Sequence, residues 1–348
     1  MSQLWWGLTQ PFAGAIADRF GSGRVILAGL ILIIIGTLLT PFMTTTLGLI
    51  FTIGVLAAGG AGMAGPSVLM GATARLLPAK NLGMATGIVN AGGSFGQFAM
   101  APLAIGLTVA IGWQYSMQSL GILMLLALPA IWVLKGSSKS SKFKSNIPSL
   151  TTSEALKSAI TTPSYLYLAI GFLICGFHVA FLATHLPGFI THCGMSPNVA
   201  GWSLAMIGLF NIFGSLSVGW AIGHWRMKSL LSLIYLLRAC AIFIFLFAPK
   251  TPTIMLIFAA VMGITFLSTV PPTAGLVAKI FGYGNMALLF GVLMLSHQIG
   301  GFLGALLGGY IFELEGNYNW MWYIDIALAL FAAVIHLPIR EEKLSHNV

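Results

Sequence analysis

Charge is what this sequence has least of. Asp, Glu, Lys and Arg make up 7% of its 348 residues, and only seven of these are carboxylates. A soluble domain carries about a quarter charged residues, so a water-soluble globular fold is excluded. The three cysteines, Cys175, Cys193 and Cys240, are scattered, with no CxxC and no metal-ligand spacing. That removes a disulfide framework and a cysteine metal centre and leaves reduced space-fillers. The sequence holds no HExxH, no intramembrane Ser–His arrangement with an acid and no paired carboxylates; an enzyme, a metal and a cofactor are therefore not expected. A basic n-region is also missing from Met1-Ser2-Gln3-Leu4-Trp5-Trp6, so no cleavable signal is visible.

What is present is apolar. Hydrophobic residues reach 58%, with 42 glycines, which membrane helices tolerate better than soluble ones do. A spanning helix needs about 20 mostly apolar residues. Eleven runs qualify: 3–17, 25–43, 47–73, 83–111, 115–134, 164–186, 198–222, 229–248, 252–278, 286–312 and 320–338. The fold class read here is an all-α, polytopic membrane protein. The polar, Lys- and Ser-rich stretch 135–163 reads as a flexible linker between an N-terminal bundle, 1–134, and a C-terminal bundle, 164–338, with a tail at 339–348. Fourteen of the 16 basic residues fall on alternate connections, which places the linker and the tail in the cytoplasm by the positive-inside rule. The net charge of +9 is thus a topology signal and does not point to nucleic acid.

The halves repeat at a shift of about 204 residues. Gly87 falls on Gly291 and Gly96 on Gly300, while GAIADRFGSGR (14–24) falls near the loop GHWRMK (223–228), which keeps Arg226 and Lys228 but has no acid at the Asp18 position. Parallel repeats of this kind are a transporter architecture, with substrate held between them at mid-membrane. Two runs precede the loop at 223–228, but only one precedes Asp18-Arg19. One helix is therefore expected to be lacking at the front, through a misplaced start, a truncated gene or a genuine eleven-helix variant.

The stretch GAIADRFGSGR resembles the Gly-x-x-x-Asp-Arg-x-Gly-x-Arg/Lys signature of the major facilitator superfamily, with one extra residue before its last arginine. Gly14, Asp18, Arg19, Gly21 and Arg24 carry the match. The resemblance implies the family's twelve-helix fold, seen here as eleven, and a latch between the halves at Asp18 and Arg24; simple positive-inside anchoring is the other reading. The end of the chain, SHQIGGFLGALLGG followed by HLPIRE, is similar to bacterial relatives of the monocarboxylate and oxalate/formate branch. A Gly-Pro pair associated with proton-driven exporters is lacking in the fifth helix of the family's plan.

The resemblance implies that the family's helices one, four, seven and ten line the cavity, flanked by two, five, eight and eleven. His178 and His185 lie two turns apart on the seventh, 164–186, and His297 lies mid-way along the eleventh. Each suits a proton carrier or a contact to an anion, or a hydrogen bond to a neighbouring helix. Pro187-Gly188 is expected to end the helix just beyond His185. Asn90, Ser94 and Gln97 form a polar stripe on the fifth helix, Asn211 and Ser215 a shorter one on the eighth, and Thr269 sits at a break in the tenth; these either bind substrate or tie helices. The resemblance implies that the ninth helix is peripheral, so Arg238 is expected to snorkel or pair locally. No carboxylate is central in a span, Asp325 lying near the outer end of the last, so coupling through a buried acid is not expected.

The function expected is a monomeric, multi-pass secondary transporter of the plasma membrane, a bacterial inner membrane. It moves a small organic solute, an organic anion such as a carboxylate, with protons or a counter-substrate as coupling partner. A polyspecific drug-type exporter and a truncated, non-transporting remnant are the alternatives.

Overall fold

A computed structural model describes residues 2–129, 131 and 151–343. The helices are α1 (Ser2–Phe20), α2 (Ser22–Leu39), the bent α3 (Thr46–Leu76), α4 (Ala79–Leu123), α5 (Thr152–Ile160), α6 (Pro163–His192), α7 (Pro197–Ala221), α8 (Met227–Phe247), the broken α9 (Pro252–Phe281), α10 (Met286–Glu315) and α11 (Asn319–Ile335). No strand occurs among the described residues. Eight stretches are long and apolar enough to cross a membrane, and Asn319–Ile335 is apolar but shorter, at 17 residues. The expected runs 3–17 and 83–111 are helical but fall outside the eight.

The burial pattern is that of a membrane bundle. Large apolar side chains such as Phe243, Ile244, Phe247 and Val334 face outward, while Gln10, Asn211, Arg238 and Asp325 are buried. Lipid accepts the first group, and the second must find partners inside because hydrocarbon offers none. Prolines open several helices (Pro163, Pro197 and Pro252), where the missing N–H costs no bond. Gly21 (φ 97°) separates α1 from α2, and Gly112 (φ 80°) is the one non-helical residue inside α4; both conformations disfavour a β-carbon.

Two expectations change. Pro187 does not end its helix, which runs on to His192, as spanning helices tolerate an internal proline when neighbours cover the freed carbonyl. Part of the linker is ordered: Thr151 and Glu154 form a capping box that starts α5, whose Ala155 and Ala159 are buried. The rest of the linker, 135–150, and residues 344–348 of the tail lie outside the described residues. The tail is anchored where it is described, with Ile339 fully buried and Glu341 accepting from the Lys228 backbone N–H and pairing with Lys279 at 2.9 Å.

Two long seams join the N-terminal helices to the C-terminal ones. α1 runs along α10, and a Cβ on Gly14 would collide with the Ala287 carbonyl. The first arm of α4 runs along α7, where Gly83 and Gly219 meet backbone to backbone. Small residues allow this approach. A third seam lies within the C-terminal group, where Gly300 and Gly304 of α10 meet the carbonyls of Leu173 and Phe177 on α6. Gly96, the repeat mate of Gly300, has nothing within 4 Å of its own Cβ position.

Candidate functional site

Between the seams lies a cavity of about 120 Å³. Gln3 and Trp6 reach it from α1, Asn90 from α4, Phe172 and Gly176 from α6, Leu267 and Val270 from α9, and Met294, His297 and Gln298 from α10. Its walls are mostly apolar, and none of its lining residues is Asp, Glu, Lys or Arg. His297 is the one lining group able to carry charge. It is 6% exposed, and its ring packs on Phe172 with centroids 4.8 Å apart. Neither ring nitrogen reaches a hydrogen-bond partner, and the same holds for the Trp6 indole N–H and the Gln3 carbonyl oxygen. Buried polar groups are normally paired, so these three are poised for something that enters the cavity.

The two polar stripes meet each other. Asn90 donates to the Ser215 hydroxyl at 2.7 Å and to the Leu267 carbonyl at 3.0 Å. Asn211 donates to the Ser94 hydroxyl at 2.6 Å and accepts from the Leu267 N–H at 3.0 Å. Their amides therefore knit α4, α7 and the break in α9, and only Asn90 also lines the cavity. Gln97, half-buried, takes no part. Thr269 is fully buried, 3.1 Å from the Cys175 sulfur.

The other two histidines lie away from the cavity lining. His185 Nε2 bonds to the Ala305 carbonyl at 2.8 Å beside Tyr318. His178 is fully enclosed. Its Nδ1 lies 3.0 Å from Arg238 Nη1, and its Nε2 lies 3.1 Å from the Asp325 carbonyl and 3.5 Å from Asp325 Oδ1. Two expectations are overturned here. Arg238 does not snorkel: it is wholly buried, and its Nη2 donates to the carbonyls of Thr265 and Phe266. Asp325 is the second: in the first half of α11, it is a buried acid after all, wholly enclosed against His178. Helical periodicity along one chain cannot report that α6, α8 and α11 point one titratable residue each at the same spot. The available signal was that a membrane helix rarely carries an unpaired charge, so two on neighbouring helices suggest a pair.

At the end of the bundle that carries the basic loops, Asp18 bridges the two groups of helices. It accepts from the backbone N–H groups of Ala287 (3.3 Å) and Leu288 (2.9 Å) at the start of α10, and it is ion-paired to Arg75. Arg75 also donates to Ser22. Arg19 lies over the Phe20 ring, and Arg24 is exposed and outside this contact. The carboxylate complements the positive N-terminus of α10. Asp18→Asn keeps acceptor capacity but removes the charge-assisted bonds, worth about 1.5–3 kcal/mol. Since that contact joins the halves and does not touch the cavity, the exchange rate is expected to fall about tenfold. The half-saturating concentration should move less than about twofold; a change confined to affinity would show that Asp18 is not a latch.

A family model described as the Major Facilitator Superfamily matches residues 4–251 and 186–348. The MFS-type transporter YcxA of Bacillus subtilis (strain 168) is 25% identical, over 95% of this chain and 82% of its own. Monocarboxylate transporter 13 of Rattus norvegicus is 24% identical, over 89% of this chain and 71% of its own. The fold is shared with the proton:xylose symporter XylE, solved with 6-bromo-6-deoxy-D-glucose: TM-score 0.73, 15% identity, 98% of this chain and 85% of the other covered.

Proposed function

The chain belongs to the Major Facilitator Superfamily, and from that premise we propose that it is a secondary active transporter moving a small organic anion, such as a carboxylate, by alternating access. It sits as a multi-pass protein in the plasma membrane, with the basic loops on the cytoplasmic side. The observation that carries the anion reading is His297, an enclosed imidazole with both nitrogens free, on a cavity wall without a single carboxylate. An imidazole in that setting can take up a proton and meet a carboxylate with charge-assisted hydrogen bonds. The indole N–H of Trp6 is a second free donor on the same wall. The likeness to a monocarboxylate transporter supports the same class. Access would alternate through opening and closing of the two seams, with Asp18 holding one closed state.

The test is counterflow in proteoliposomes containing the purified chain, loaded with pyruvate and given labelled lactate or oxalate outside. Saturable, trans-stimulated uptake is expected. A second reading, a polyspecific exporter, is favoured by the apolar lining of Trp6, Phe172, Leu267, Val270 and Met294. Expulsion of hydrophobic dyes with no carboxylate exchange would replace the anion reading with that one, and absence of both activities would overturn transport.

A further inference from the structure

The cluster of Arg238, His178 and Asp325 lies behind the cavity wall and has no role in the solute contacts above. Arginine has donors only, so His178 Nδ1, 3.0 Å from Arg238 Nη1, must be the acceptor. The ring's hydrogen then sits on Nε2 and goes to the Asp325 backbone carbonyl at 3.1 Å. His178 is therefore neutral in this arrangement. The Asp325 carboxyl is fully buried, and neither of its oxygens has a hydrogen-bond partner. An ionised carboxylate without a single hydrogen bond in a membrane interior is very costly, so the arrangement suits a carboxylic acid.

Arg238 is meanwhile committed elsewhere. Its guanidinium covers the carbonyls of Thr265 and Phe266, the buried C-terminal end of the first half of α9. A cation at that end satisfies orphan carbonyls and complements the helix dipole. The next residue, Leu267, lines the cavity and is held by Asn90 and Asn211. One backbone link thus separates the charge cluster from the cavity wall.

We infer that Asp325, with His178 and Arg238, is a proton-binding site that controls how firmly the break in α9 is held beside the cavity. With the proton on Asp325, Arg238 is free to cap α9. When Asp325 releases it, the carboxylate has to draw on Arg238, and the stretch from Thr265 to Thr269 loses its cap. Other titratable groups around the cluster are Tyr235 on α8, beneath the guanidinium at 5.2 Å, and Cys175 on α6. His297 on α10 packs behind Phe172, and His336, after α11, stacks on Tyr235 at 5.2 Å. No second carboxylate is among them, so Asp325 is the one carboxylic acid of the cluster, beside the Cys175 thiol and the Tyr235 phenol. The inference rests on the transport reading for its purpose but not for its test.

The test uses the full chain in lipid nanodiscs. Hydrogen–deuterium exchange of the segment around 265–270 is compared between the native chain and Asp325→Asn at the same pH, which cancels the intrinsic pH dependence of amide exchange. The two are expected to coincide at low pH and to separate by about tenfold at high pH, the native segment exchanging faster, as expected for local opening. Infrared spectra of the native chain should show a carboxylic-acid C=O band that Asp325→Asn lacks and that fades as pH rises. Equal exchange at every pH, or a constant offset, would overturn the site. If the Asn variant fails to fold, the native infrared titration and His178→Gln decide: no buried carboxylic acid at any pH sinks the proposal. Neither readout needs a transported solute. Lactate exchange with failed titration would remove only the proton site; a clean titration without exchange would remove only the transport reading.

Discussion

His297→Ala is expected to lose carboxylate exchange almost completely while leaving the protein folded. The argument rests on what the ring does and does not touch. Its nitrogens hold no hydrogen bond in the protein, and the neighbouring Cys175 thiol keeps its contact to the Thr269 hydroxyl at 3.1 Å when the ring is removed. The loss on the stability side is the packing against Phe172, a cost of about 1–3 kcal/mol for a large buried ring cut to a methyl in a site that already adjoins a cavity. On the function side, a charge-assisted bond to a substrate carboxylate is worth about 1.5–3 kcal/mol, and 1.4 kcal/mol is a factor of ten. Exchange should therefore fall by about tenfold to a hundredfold at subsaturating solute. Proteoliposome counterflow reads the first effect and a melting curve the second. Unchanged kinetics would take His297 out of the site and favour the exporter reading, in which an apolar wall does the binding.

The second large effect is on stability. Arg238→Ala is expected to destabilise the bundle by about 3–5 kcal/mol, because three buried acceptors lose their charged donor at about 1–3 kcal/mol each. Here the stranded groups are specific: the Thr265 and Phe266 carbonyls and His178 Nδ1. Arg238→Lys should recover only part of this, since one ammonium cannot span the three acceptors that the planar fork reaches. Replacing Arg238, His178 and Asp325 together by apolar residues should cost less than Arg238→Ala alone, as it leaves no unpaired polar side chain of the cluster behind. Thermal unfolding of the detergent-solubilised variants measures all three. A triple variant less stable than the single one would show that the cluster's worth lies in its shape and not in its pairing.

Much of this protein was legible in one dimension, for physical reasons that act locally. A run of about 20 apolar residues needs no partner to declare itself, since lipid is the solvent it fits. The basic connections declare a side by charge alone, and the repeat aligned Gly96 with Gly300 before any contact was known. The signature loop pointed to Asp18, which does sit between the two groups of helices. Its partner is not legible: Arg75 lies 57 residues away, and along the chain it is only one of the fourteen basic residues on alternate connections.

What the tertiary structure decided is where side chains on different helices converge. The polar stripe on 83–111 left two readings open, and packing against α7 joined Asn90 and Ser94 to Asn211 and Ser215. His178 and His297 looked equivalent along the chain, yet one is bonded on both nitrogens and the other on neither. The resemblance put Arg238 on a peripheral helix and its place in the sequence put Asp325 near a helix end, and hydropathy assigns each a cost without naming what offsets it. A charge inside a membrane is set by its neighbours within a few ångströms, and only the packing of α6, α8 and α11 supplies those neighbours.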